Sequence, residues 1–72
     1  MSPALPVLSG AAVVRALGKD GFAQISQRGS HVKLRRDHAT VIVPLHRELA
    51  PGTLRSILRQ AEMTVEELTK MI

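Results

Sequence analysis

Residues 29–45 read GSHVKLRRDHATVIVPL, and this stretch decides the fold. Two alternating runs flank Asp37-His38. A strand sends successive side chains to opposite faces. In the first run Val32 and Leu34 therefore share one face, and His31, Lys33 and Arg35 share the other. In the second run Val41, Val43 and Leu45 alternate with Thr40, Ile42 and Pro44. A two-residue Asp37-His38 turn, or a four-residue one, sets Val32 opposite Val43 and Leu34 opposite Val41, apolar on apolar as a half-buried hairpin requires. A three-residue loop would flip the parity and leave Val41, Val43 and Leu45 in water. Pro44 has no N–H, which predicts that its strand is an edge at that point.

Working upstream, residues 22–28 form a first strand with weak alternation. A tight Arg28-Gly29 turn would set Ile25 opposite Val32 and Ser26 opposite His31. The outer face of the sheet then carries Gln24, Ser26, Arg28, His31, Lys33, Arg35, Thr40, Ile42, Pro44 and His46, with His46 diagonal to His31, roughly 7–8 Å away between backbones. Before the strands, Ser9 is an N-cap and Val13, Val14 and Leu17 make an apolar stripe at helical spacing. Asp20-Gly21 ends that helix, with Gly21 in the left-handed region. The lead-in from Met1 to Leu8, which contains Pro3 and Pro6, reads as loose.

Downstream, Leu54, Ile57, Leu58 and Ala61 follow a helical period with Pro51 in the first turn. Thr64-Val65-Glu66-Glu67 is a capping-box sequence opening a short last helix, with Leu68, Met71 and Ile72 on its apolar side. The predicted class is α+β, a two-layer α-β-β-β-α arrangement with helices on one face of a three-stranded antiparallel sheet. Double-stranded-RNA-binding domains share this order, but order alone carries no function.

Seventy-two residues predict a single domain over 1–72, with one compact core. The absence of cysteine removes disulfides and thiolate metal sites and fits a reducing cytoplasm. No apolar run approaches the roughly 18–20 residues of a membrane span, and residues 1–9 lack the pattern of a signal peptide. The formal net charge of +4 calls for an anionic partner, whether nucleic acid, lipid surface or acidic protein. Phe22 is the sole aromatic residue, so base recognition by stacking on several rings is excluded. Nucleic-acid contact would run mainly through phosphates, 2′-hydroxyls and shape.

His31 is the candidate for chemistry. Metal-free RNA cleavage must remove a proton from a 2′-hydroxyl, stabilise a crowded phosphorane and protonate the leaving 5′-oxygen. Histidine suits either proton transfer near neutrality. Lys33, Arg28 or Arg35 would neutralise the developing charge. From spacing alone, the plainer reading of His31 is an exposed strand histidine, ahead of a catalyst or a phosphate or protein contact. His46 is a second acid–base candidate or a loop histidine bonded to backbone. Ser30 can reach a phosphate or serve its turn. His31, His38 and His46 stand seven and eight residues apart, which matches no metal-ligand signature, so no metal or other cofactor is expected.

Four segments together resemble the HicA family of toxins from prokaryotic toxin–antitoxin pairs. They are Leu17 to Phe22 with Gly21-Phe22; Gln27-Arg28-Gly29-Ser30-His31; Val43-Pro44-Leu45-His46; and residues 52–61, GTLRSILRQA. The resemblance runs from about Ser9 to Leu68. It implies a small toxin, monomeric when free, with a double-stranded-RNA-binding-like fold. It further implies an mRNA interferase that cleaves RNA without a metal, with the histidine of the Gly-Ser-His motif, here His31, as catalytic residue. Arg28, Ser30, Lys33 and Arg35 are the expected RNA-binding residues, and a HicB-like acidic antitoxin would cover the site. The chain departs from the family at Ser26, where arginine is common, at Val32 and Leu34, where bulkier residues are, and at Glu62, where glycine often closes the long helix. Two other readings remain open: a non-catalytic module for structured RNA, and a domain that binds only an acidic protein.

Overall fold

A computed structural model describes residues 5–72. The elements run α1 (Gly10–Lys19), β1 (Ala23–Arg28), β2 (His31–Arg36), β3 (Ala39–Pro44), α2 (Pro51–Ala61) and α3 (Val65–Thr69). The strands form an open antiparallel sheet in the order β1-β2-β3. This is the α+β arrangement expected. Val13, Leu17, Val32, Leu34, Val41, Val43, Leu54, Ile57 and Leu68 are all but fully buried and build one core between sheet and helices.

The β2–β3 register is the predicted one. Val32 pairs with Val43 and Leu34 with Val41, and Arg36 pairs with Ala39 across a two-residue turn in which Asp37 takes φ +53°. Aspartate tolerates this left-handed conformation better than most side chains because its carboxylate bonds locally.

The β1–β2 register differs from expectation. The turn is Gly29-Ser30, with Gly29 at φ +55°, so Arg28 pairs with His31, Gln27 with Val32 and Ser26 with Lys33. Ser26 therefore does not face His31, nor Ile25 Val32. The shift is by two residues, which preserves parity and keeps His31 on the outer face. A β-bulge between Gln24 and Ser26 then changes the parity of the first half of the strand. Gln24, expected on the outer face, pairs with inward-pointing Leu34.

The helices begin where the sequence places them, but α3 stops at Thr69, short of Met71 and Ile72 that were expected on its apolar side, and Ile72 is exposed. The residue that closes α2 is a further, informative exception. Ser9 accepts a hydrogen bond from the Ala12 N–H at 3.1 Å, and Pro51 opens α2. The lead-in is tied down rather than loose over its described part: the Leu49 N–H donates to the Leu8 carbonyl at 2.8 Å, and Leu5 and Leu8 pack on the core. Met1–Ala4 lie outside the described residues. At the start of α1 the Gly10 N–H donates to the His46 carbonyl at 2.9 Å, and a Cβ on Gly10 would fall 1.9 Å from the Pro44 carbonyl oxygen. Helix α1 thus seats its first residue directly on the end of β3. Arg36 fastens the other end of α1: it donates to both the Asp20 carbonyl and carboxylate, and its guanidinium lies 4.5 Å from the Phe22 ring centroid.

The exception is Glu62, which ends α2 at φ 56°, ψ 48°. This left-handed position favours glycine because a Cβ crowds the following carbonyl. Glu62→Gly should raise the unfolding free energy by about 1 kcal/mol in urea titrations. The short α3 is held by the reciprocal cap: the Thr64 N–H donates to Glu67 Oε1 at 2.9 Å, and the Glu67 N–H to Thr64 Oγ1 at 3.1 Å. The bond from the Thr64 backbone is the main reason the Glu67 carboxyl lies below its ordinary value of 4.5. A carboxyl lowered in the folded state stabilises it above the unfolded value and loses that contribution as pH falls through the folded one. The Thr64 amide resonance should therefore titrate with a midpoint below 4.5. Glu67→Gln should keep the cap and abolish the titration.

Candidate functional site

The outer face of the sheet is built around the first residue of β2. His31 follows the Gly29-Ser30 turn immediately, and both turn residues are fixed. The Gln27 side-chain amide donates to the Gly29 carbonyl at 3.0 Å, and the Leu45 N–H donates to the Ser30 carbonyl at 2.6 Å. His31 is thereby held between Arg28 on β1 and Pro44 on β3. The inward residue next to it, Val32, is buried, so the strand cannot rotate the imidazole off this face without exposing the core.

Beside His31 lies a cleft of about 450 Å³ lined by Ser26, Arg28, His31, Lys33 and Ile42. That volume falls within the roughly 300–1,000 Å³ typical of small-ligand sites. Two permanent cations and one imidazole face it, with no carboxylate among the lining side chains. The arrangement is suited to an anion that must be held while a proton moves beside it.

Three of the five residues expected to form the site are thus brought together: Arg28, His31 and Lys33. Ser30 sits at the turn itself, outside the lining. Arg35 shares the outer face, but its Nε donates to the Asp37 carbonyl at 3.1 Å, toward the far hairpin. His46 lies beyond the end of β3 with its carbonyl engaged by Gly10, and it does not line the cleft. His38 is at the β2–β3 turn, where its Nε2 lies 2.9 Å from Glu62 Oε2. Among the described residues no three His, Cys, Asp or Glu side chains gather into a metal-binding group. Nor, among them, is any helix long and apolar enough to cross a membrane.

Three contributors were not among the expected site residues: Ser26, which lines the cleft although it stood as a departure from the family's arginine, Ile42 and Gln60. Ile42 was expected on the outer face but in no site, yet it lines the cleft. Gln60, on α2, accepts the Ile42 N–H through Oε1 at 2.9 Å and donates from Nε2 to Ser56 Oγ at 3.0 Å. The signal available was indirect: an edge strand leaves N–H groups unpaired, and Ser56 and Gln60 stand four apart on one helix face.

The family model for the HicA toxin of bacterial toxin–antitoxin systems matches residues 10–63. That span contains both helices that pack on β3, all three strands and every residue lining the cleft. A comparison with curated protein sequences finds no match.

Gln60→Ala should remove the seal on β3. A lost hydrogen bond of about 0.5–1.5 kcal/mol corresponds to roughly two- to tenfold faster exchange of the Ile42 amide. The Val41 and Val43 amides, which belong to the buried ladder, should be unchanged by the same measurement.

Proposed function

The chain belongs to the HicA family of bacterial toxins, whose partner is an antitoxin, and from that premise we propose that it is a metal-independent endoribonuclease acting on mRNA in the cytoplasm. The observation that carries this reading is the convergence of Arg28, His31 and Lys33 on one cleft free of carboxylates. We read residues 1–72 as one toxin domain, monomeric when free.

The reaction is a transesterification. The 2′-oxygen attacks the adjacent phosphorus, the bond to the 5′-oxygen breaks, and one proton passes from the first oxygen to the second. His31 takes or supplies that proton, since imidazole is the side chain able to do either near neutral pH. Arg28 and Lys33 hold the non-bridging oxygens, where negative charge grows as the phosphorane forms. Ser30 and Arg35, just outside the cleft, lie along the path of a longer strand and add phosphate contacts. A HicB-like antitoxin with an acidic surface would cover this face, satisfying the same cations that otherwise bind RNA.

His31→Ala should lower cleavage of RNA in EDTA by at least about a hundredfold while leaving RNA binding nearly intact. Cleavage that persists in this variant would remove the mechanism. Loss of wild-type activity in EDTA would restore a metal. Lys33→Gln should weaken binding and reduce the slope of log affinity against log salt by about 0.7, the value for one phosphate on a single strand.

A further inference from the structure

Ile42 is an apolar side chain lining a cationic cleft. It is 40% exposed, although the neighbouring valines on its strand are fully buried. It pairs with Lys33 across the ladder, which sets it diagonal to His31 and Arg35. Of the five side chains lining the cleft it is the one aliphatic group. A site built only to hold phosphate has no use for such a surface, which water covers poorly.

The backbone at this point narrows the choice of ligand. Gln60 occupies the outward N–H of Ile42, and Pro44, the next outward position, has no N–H to offer. A partner strand would therefore find two of this edge's main-chain donors missing. Whatever covers Ile42 approaches from the face, where the cations are. A nucleotide has the matching composition: an anionic phosphate and, beside it, a base with an apolar face. Bases held outside a helix are gripped by aromatic or aliphatic side chains alike. The ring that would ordinarily do this is missing here, because Phe22 is buried under the Arg36 guanidinium.

We propose that Ile42 is the base-binding residue of the cleft, packing on one nucleobase next to the phosphate held by Arg28 and Lys33. This rests on the reading of the cleft as an RNA site and adds to it the component that fixes a base rather than the backbone. Gln60 acts as a positioning residue, holding the strand that carries Ile42.

The test uses a fluorescent 2′-O-methylated oligoribonucleotide, which binds without being cut, and a set in which one base is removed at each position in turn. Ile42→Ala should weaken binding of the intact strand roughly five- to tenfold at fixed salt. Its salt slope should stay at the wild-type value, unlike that of Lys33→Gln. Removal of one particular base should weaken the wild type by a similar factor and erase the difference between wild type and variant. Ile42→Thr keeps the β-branched shape and guards against a folding defect. Equal affinity of Ile42→Ala and wild type for the intact strand would overturn the proposal, as would a loss that no single missing base erases. A variant impaired only toward the antitoxin would assign Ile42 to the protein interface instead, and overturn it too. Cleavage of unmodified RNA is read in parallel. Binding without cleavage would refute the nuclease reading and leave the base contact standing. Cleavage with an unaffected Ile42→Ala would refute the base contact alone. No binding by the wild type would refute both.

Discussion

Everything in this protein depends on burying Val32 and Leu34 from the central strand. They sit against Val43 and Val41 and under the helices, and all four are nearly inaccessible to water. A chain of this size has little core to spare, so a one-residue slip of β2 would expose both side chains and cost several kcal/mol, much of the stability of a small domain. Because side chains alternate strictly, fixing these two inward fixes His31, Lys33 and Arg35 outward. The core constraint and the chemistry are two faces of a single strand.

That coupling explains what the sequence made legible. The Asp37-His38 hairpin was readable because both of its strands alternate, and only even registers bury both apolar sets. The α-helices were readable from caps at Ser9 and Thr64 and from Pro51. The register of β1 was not, because its six residues are all exposed and impose no burial pattern. Two turns around Gly29 fit the same parity, and nothing in Gln24-Ile25-Ser26 announces a bulge. The closing of α2 by Glu62 in a left-handed conformation was visible only as a departure from the glycine expected there.

The site was legible in part for the same reason. Arg28, His31 and Lys33 converge because parity brings them to one face and the ladder brings β1 beside β2. Arg35 obeys the parity but turns to a backbone carbonyl of its own hairpin, a local bond that periodicity cannot foresee. Gln60 lies eighteen residues from Ile42 in sequence, and only the packing of α2 on β3 makes them neighbours.

The seal by Gln60 and Pro44 has a consequence for how copies of this chain meet one another. An open sheet has two edges, and endless strand-by-strand growth needs both to accept a neighbour. Here, on the β3 edge, the Ile42 N–H is taken by a side chain and Pro44 offers none, so a neighbour finds two of that edge's donors missing. Strand addition is therefore hindered on the β3 side relative to the β1 side. The fold thus blunts one edge against strand-by-strand growth, at no cost to the cationic face it presents.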